Sequence, residues 1–354
     1  MGFDFSLVDV FTDRPFGGNR LAVFPDATGI ADATMQQLAW EFNFSETTFV
    51  LPPSDPSCTC RVRIFTPRQE LPFAGHPTVG TAAVLASLSD DKQFVFEEGI
   101  GPVRVDVDGE SMRLYLDSPR YESSSEAPPR AEIARALSLP DDAISDSWYG
   151  GIGLKFCFVR LASPELVDRA VLDKDAWASG VVGTWSAELY VFAGDFRDGA
   201  RVHARSFAPA LGVDEDPATG SACASLAASL AQRSPEPNGT YRLRIDQGVV
   251  MGRPSALKGT ACKEDGRIAE VVVSGFATIV GHGTMPAGLH GHRGARRPAR
   301  PSRPWPRWPQ RVSRERGQRR GRDRPDVTRS PGRSRRPQTR PAPRRDTVHR
   351  QQRR

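Results

Sequence analysis

Phe73-Ala-Gly-His76-Pro77-Thr-Val-Gly80-Thr81-Ala82 is answered by Glu215-Asp216-Pro217-Ala-Thr-Gly220-Ser221-Ala222, with Pro77/Pro217, Gly80/Gly220, Thr81/Ser221 and Ala82/Ala222 each 140 residues apart. Upstream the echo continues at a different offset. Arg61-Val-Arg-Ile-Phe65-Thr-Pro67 precedes the first copy and Arg205-Ser-Phe207-Ala-Pro209 the second, their Phe and Pro pairs 142 apart. One two-residue indel therefore separates the halves. Glu46-Thr-Thr-Phe49-Val50 has its partner in Glu188-Leu-Tyr-Val191-Phe192, and each glutamate lies 19 residues before its phenylalanine, Phe65 or Phe207. A repeat longer than a solenoid unit means a duplicated domain. Two such copies face each other across a pseudo-two-fold axis, and the cleft between them is the place to look for a ligand.

The whole-chain charge of +6 points to a nucleic-acid binder only because it averages two unlike segments. Residues 287–354 hold 23 of the 48 basic side chains and only 4 of the 42 acids, a net of +19, which leaves 1–286 at −13. The body is an acidic domain pair. The tail has 10 prolines, and Leu289, Val312, Val327 and Val348 are its only large aliphatics. It buries too little apolar surface to offset its ordering entropy, so disorder is its expected state. Three readings fit the tail: a solvated appendage, text read past a true stop in the wrong frame, or an arm binding phosphates by charge alone. Nucleic acid is thus a partner only through the tail, where Trp305 and Trp308 are available for stacking.

The N-terminus, Met1-Gly-Phe-Asp-Phe-Ser-Leu-Val-Asp-Val-Phe11, has no basic leader and reads as a strand. No apolar run approaches the ~20 residues of a membrane span. Five cysteines (Cys58, Cys60, Cys157, Cys223, Cys262) are odd in number and scattered, without metal-ligand spacing. The expected compartment is cytoplasmic.

The body is strand-rich. Phe5–Phe11, Leu21–Phe24, Glu46–Leu51, Cys60–Phe65, Gln93–Glu97, Gly101–Asp108 and Ser111–Tyr115 favour β-branched and aromatic residues, and the texture returns at Phe156–Leu161, Glu188–Ala193, Arg201–Ser206, Thr240–Gln247 and Ile268–Val280. Each half holds one small-residue helix, the first starting after His76 and the second after Asp216, each with proline at its first helical position. Both are apolar or small nearly all round and so are buried on most faces. Asp32–Phe42 reads as an amphipathic helix on Met35, Leu38, Ala39 and Phe42, and a fourth helix starts near Pro129 with Ile133, Leu137 and Leu139. The expected fold is α+β, two pseudo-symmetric domains over 1–120 and 131–286, each a barrel-like β-sheet wrapped around a central helix, joined by a linker at 121–130 and followed by the disordered tail.

If the N-termini of the two small-residue helices point into one cleft, their free N–H groups and half-charges form an anion site. A small carboxylate metabolite fits it. His76 and Asp216 then stand at matching caps facing the ligand, and Ser221, Gly75 and Gly220 add hydroxyl or backbone donors. Glu46, between apolar neighbours, is either a partly buried carboxyl tuned toward neutral pH for proton transfer or a strand-edge glutamate in solvent. Glu188 is its repeat mate and a candidate second base, although no other polar group beside it in sequence marks a site.

Asn43-Phe-Ser-Glu-Thr-Thr-Phe49, Pro72-Phe-Ala-Gly-His-Pro-Thr-Val-Gly-Thr-Ala82, Asp214-Glu-Asp-Pro-Ala-Thr-Gly-Ser-Ala222 and Gln247-Gly…Met251-Gly-Arg-Pro-Ser255 resemble the phenazine biosynthesis PhzF-like family, which shares the diaminopimelate epimerase fold. The opening Val8-Asp-Val-Phe-Thr…Phe16-Gly-Gly-Asn19 and the closing strand Val271–Val280 match too, so the resemblance covers residues 4–285 and stops at the Arg-rich tail. It implies a homodimeric isomerase working without cofactor or metal by a proton shift, the chemistry by which PhzF itself tautomerises a dihydro-hydroxyanthranilate. It makes Glu46 the proton shuttle, with His76, Asp216 and Ser221 lining the substrate site, and it adds Asn19 to the substrate-binding set. Epimerases and racemases of this fold carry cysteines at the positions of His76 and Asp216, so a two-cysteine stereoinversion is disfavoured. The family's proline after Asn19 is here Arg20, at the rim of the expected cleft. A binding protein that has kept the fold and lost its chemistry, and an epimerase or racemase of an amino-acid-like substrate, remain the alternatives.

Overall fold

In the computed structural model, which describes residues 2–126 and 128–286, the first half runs β1 (Gly2–Val10), β2 (Asn19–Phe24), α1 (Asp32–Phe42), β3 (Glu46–Leu51), β4 (Cys60–Phe65), β5 (Glu70–Leu71), α2 (Gly75–Leu88), β6 (Gln93–Glu98), β7 (Gly101–Asp108) and β8 (Ser111–Asp117). After β9 (Tyr121–Ser123) and α3 (Arg130–Ala136), the second half repeats the plan. It runs β10 (Ile144–Ile152), β11 (Leu154–Leu161), α4 (Pro164–Arg169), α5 (Lys174–Gly180), β12 (Leu189–Ala193), β13 (Ala200–Ala208), β14 (Val213–Asp216), α6 (Gly220–Arg233), β15 (Gly239–Gln247), β16 (Ser255–Glu264) and β17 (Arg267–Pro286).

The pattern of pairings recurs in the two halves. β2 runs parallel to β3 and β4 parallel to β6; in the second half β11 runs parallel to β12 and β13 to β15. The first half closes through β1–β2–β3–β4–β6–β7–β8–β17 and back to β1, an eight-strand barrel. Its closing strand comes from the far end of the chain. β17 first pairs with β16 and β8, then crosses to pair with β1, Gly2 opposite Pro286. In return the chain leaving β8 enters β9, which pairs with β10 of the other half. β8 and β17 lie antiparallel where the halves meet, Leu114 opposite Val273. The fold is thus mixed, with strands dominant and few helices.

In each half the sheet wraps one helix. α2 packs on β1, β2, β3, β7, β8 and β17, and α6 on β10, β11, β15, β16 and β17. Ala222, Leu226, Ala227, Leu230 and Ala231 of α6 are all buried, as are Val79, Ala82 and Val84 of α2. A helix surrounded by sheet has no polar face to offer, which is why both sequences are small and apolar all round. Each fully buried Val, Leu or Phe here contributes about 1.5–3 kcal/mol. α1 lies outside the barrel, where Met35, Leu38 and Ala39 cover Phe24, Phe49 and Phe65, and Phe42 packs on the edge of that cluster.

Two features differ from the sequence reading. Tyr121–Ser123, expected in a linker, is the strand β9. The helices begin at Gly75 and Gly220, not after His76 and Asp216, so their starts are 145 residues apart and not 140. The physical reason lies in the backbone before α6: the carbonyl of Asp216 accepts from Gln247 Nε2 at 2.8 Å and that of Pro217 from Ser255 Oγ at 2.9 Å. With those acceptors engaged the chain does not turn helical until Gly220. The expectation of disorder for 287–354 lies outside the described residues, and no described helix is long and apolar enough to cross a membrane.

Candidate active site

The N-termini of α2 and α6 meet. A Cβ added at Gly75 would lie 3.1 Å from Gly220 Cα, and one at Gly220 would lie 3.2 Å from Gly75 Cα. Only glycine allows both backbones this approach. Neither helix has a side-chain cap, so the first N–H groups of both ends are left for whatever occupies the space beside them. That space is a cleft of about 630 Å³, whose polar lining includes Glu46, His76, Asp216 and Ser221. Leu71, Phe73, Leu154 and Phe156 supply apolar wall.

Glu46 opens β3, beside Leu21 of β2. Two residues on, Thr48 Oγ1 meets Thr81 Oγ1 of α2 at 2.9 Å, which fixes that face of β3 as the barrel interior. Alternation puts Glu46 on the same face, toward the start of α2. Its Oε2 stands 3.3 Å from His76 Nε2, with side chains 15% and 6% exposed respectively. The contact is close but poorly aligned, and both atoms are otherwise unpartnered. Burial, and then the neighbouring Asp216 charge, raise the Glu46 carboxyl well above the usual carboxylate range. Burial pushes His76 down to about 3, against a smaller opposing effect of the Arg20 backbone, so its imidazole is neutral near pH 7.

Asp216 ends β14 rather than capping α6. Its Oδ1 accepts from Asn19 Nδ2 at 2.7 Å and Ser45 Oγ at 3.3 Å, and its Oδ2 accepts from Thr219 Oγ1 at 2.6 Å. Burial still wins over these donors and lifts it to about 6. Asn19, 1% exposed at the start of β2, joins the two halves: the same Nδ2 also lies 3.3 Å from His76 Nδ1 and donates to the Ala218 carbonyl at 3.2 Å. Arg20, beside it, is exposed, with its guanidinium over the Phe44 ring.

The helix offset of 145 reassigns the mirror partners. His76 corresponds to Ser221, each the second residue of its helix, and Asp216 corresponds to Leu71, each the residue ending the short strand before its helix. The matching of His76 with Asp216 at two caps is therefore corrected, although both line one cleft. Glu188 is not among the cleft-lining residues. Sequence reading did not single out Ser45, Thr219 or Gln247. Gln247 holds the loop before α6 from three sides, donating to Thr219 Oγ1 and accepting from Thr219 N and Tyr190 OH. Its place at the head of a Gln-Gly motif was the one available signal.

Comparison with known proteins follows the same outline. A family model described as phenazine biosynthesis-like protein, PhzC-PhzF, matches residues 8–283. An uncharacterized isomerase of Mesorhizobium japonicum is 37% identical over 80% of this chain and 98% of its own. The trans-2,3-dihydro-3-hydroxyanthranilate isomerase of Pseudomonas fluorescens is 34% identical over 80% of this chain and 99% of its own. The crystal structure of the Bacillus anthracis phenazine biosynthesis protein, PhzF family, superimposes with a TM-score of 0.70 at 22% identity, covering 81% of this chain and 99% of that one.

Proposed function

The chain belongs to the PhzC-PhzF family and is an isomerase, and from that premise we propose that it shifts a proton on a small carboxylate-bearing substrate, with Glu46 as the general acid and base. The observation that carries this reading is the placement of Glu46, a buried carboxyl with its Oε2 unpartnered, beside two uncapped helix N-termini that touch each other. The N–H groups of Gly75, His76, Gly220 and Ser221 hold the substrate carboxylate. Glu46 takes a proton from a ring carbon, and the C–H electron pair moves into the adjacent unsaturation. The same carboxyl returns the proton at the far end of that system, so no co-reactant is consumed.

The other side chains set protonation states. Asn19 Nδ2 donates to a carboxylate and a carbonyl, which fixes it as the amide nitrogen. His76 Nδ1 lies 3.3 Å from the same nitrogen, and its Nε2 faces Glu46. A neutral imidazole there leaves the ionised form of Glu46 without a counter-charge, so the carboxylate stays a base. Asp216 places a second carboxyl near the ligand and keeps Glu46 basic once ionised.

Trans-2,3-dihydro-3-hydroxyanthranilate, the compound in the name of the Pseudomonas relatives, is the first substrate to try. Its conversion by the full chain, followed by absorbance, tests the reading; an inert wild-type chain that still binds the compound leaves the fold with a binding role instead. We propose with this the diaminopimelate-epimerase arrangement of two pseudo-symmetric halves, supported by the repeated order of parallel and antiparallel pairings. A cytoplasmic homodimer completes the reading, supported by five free thiols for the compartment and tested by light scattering for the assembly.

A further inference from the structure

The proposed chemistry leaves two buried acids idle, Glu98 and Glu188, and of these Glu188 precedes the strand whose neighbour lines the cleft. Glu188 is 8% exposed, and its Oε2 is buried without a hydrogen-bond partner. Burying such a group unpaired is costly, and nothing in the packing of the second half needs it.

Its position mirrors that of Glu46. Thr47 stands opposite Phe65 in the β3–β4 ladder and Leu189 opposite Phe207 in the β12–β13 ladder, both pairs at an offset of 142. Leu189 and Val191 belong to the cluster on the outer face of the second half's sheet. Tyr190 and Phe192 belong to the cluster around α6, and Tyr190 donates its hydroxyl to Gln247 inside. By alternation Glu188 shares the inner face with Tyr190. On the neighbouring strand β13, Ser206 and Ala208 line the cleft. Ser221 also lines it, and occupies in α6 the place His76 occupies in α2.

The surroundings of Glu188 carry no charge. From β11, Cys157 N donates to the Glu188 carbonyl, and burial pushes the Cys157 thiol up. Ser186 Oγ accepts from Glu188 N. On β13, Arg205 is committed to Glu215. On α6, burial pushes the Cys223 thiol up to about 12. Burial alone acts on the Glu188 carboxyl and lifts it to about 7, so it holds or releases a proton within the neutral range.

We propose that Glu188 is a second proton-handling group of the site, exchanging hydrogen with the ligand from the C-terminal half through the Ser221 hydroxyl, opposite Glu46. This rests on the isomerase reading above. Glu46 takes a proton from a ligand carbon; as charge gathers on a ligand oxygen or nitrogen, Ser221 gives that atom its hydroxyl proton and receives the proton of Glu188, which is ionised in that interval. When Glu46 returns its proton at the far carbon, the ligand gives the extra proton back to Ser221, and Ser221 returns one to Glu188. No electrons leave or enter, and both carboxyls end as they began.

Turnover of trans-2,3-dihydro-3-hydroxyanthranilate by the full chain is compared across the neutral pH range for wild type, Glu188→Gln and Glu188→Asp. The expected result is a loss of roughly 10²-fold in kcat for the Gln variant at unchanged KM. Its rate profile no longer turns over near pH 7, and the Asp variant restores part of both. A Gln variant with wild-type kcat and pH profile overturns the proposal. If the wild type is inert, that substrate assignment falls by itself. The role of Glu188 is then decided by calorimetry of 3-hydroxyanthranilate binding in two buffers of different ionisation enthalpy. Proton exchange on binding by the wild type and not by Glu188→Gln supports it; equal proton counts, zero included, overturn it.

Discussion

In both halves an arginine two residues before a phenylalanine grips a glutamate with both arms. Arg63 holds Glu70 through two contacts of 2.7 Å and Arg205 holds Glu215 through two of 2.8 Å. Each guanidinium lies over its phenylalanine ring, Phe65 or Phe207, at 5.0 and 4.9 Å. The two clamps pin equivalent hairpins, β4–β5 and β13–β14. Beyond them the halves diverge. The residue after Glu70 is Leu71, an apolar wall of the cleft; the residue after Glu215 is Asp216, a half-buried carboxyl in the same cleft. The second helix residue is His76 in one half and Ser221 in the other. The halves share this scaffold, and single positions on it are chemically unlike. A proton shift between inequivalent atoms of a ligand needs that inequality.

The sharpest way to break the comparison is at the two mirrored glutamates. Glu46→Gln is expected to lower kcat by roughly 10²–10⁴ while ligand affinity, read by calorimetry, is kept. Wild-type turnover in that variant removes Glu46 from the chemistry. The clamps come next. Arg205 also donates through Nη1 to the carbonyls of Val167, Asp168 and Ala170, whereas Arg63 reaches the exposed Asp32. Arg205→Ala should cost about 3–5 kcal/mol in denaturant unfolding, because it strands a carboxylate and three carbonyls. Arg63→Ala should cost about 1 kcal/mol, and equal losses would show that the second clamp gains nothing from burial. Gly75→Ala puts a methyl 3.1 Å from the opposite helix. It is expected to cost about 1–3 kcal/mol and to weaken carboxylate binding by parting the two N-termini; unchanged binding would separate the helix contact from ligand recognition.

The smallest effect is on the pH dependence of stability. Burial raises Glu98 to about 8 and Asp216 to about 6, each above its unfolded value. Both therefore favour the protonated folded state. Their contribution is complete in acid, below the unfolded carboxyl range, and is lost as pH rises through about 6 for Asp216 and about 8 for Glu98. Thermal midpoints should decline over that window. Glu98→Gln, which keeps a partner for Thr78 Oγ1, should flatten the upper part of the decline. An unchanged slope would mean that Glu98 is already ionised in the folded chain.

Much of this was written locally. The strands Glu46–Leu51, Cys60–Phe65 and Gly101–Asp108 and the helix Asp32–Phe42 carry their periodicity in the sequence and fold where it puts them. β10 and β16 were not legible. Gly150-Gly151 and Gly259 have poor strand propensity, yet a Cβ at Gly259 would lie 3.0 Å from Ala227 of α6, so the buried helix dictates that residue. Of the site, the residue types were legible, and so was the convergence on one cleft of Glu46, His76 and Asp216. The register was not. The start of α6 depends on Gln247 and Ser255, some 30 residues downstream, whose grip on two carbonyls no local pattern announces.

The crossing of β17 sets an order on synthesis. The first barrel has strands β1 to β8 in hand when less than half of the body has been made, yet it cannot shut until Arg267–Pro286, the last strand before the Arg-rich tail, has been released to it. Until then the flanks of β1 and β8 lie open, and the apolar lining around α2 has one wall missing. A nascent chain of this design waits for its own far end, and neither half cut from the other carries a complete set of staves.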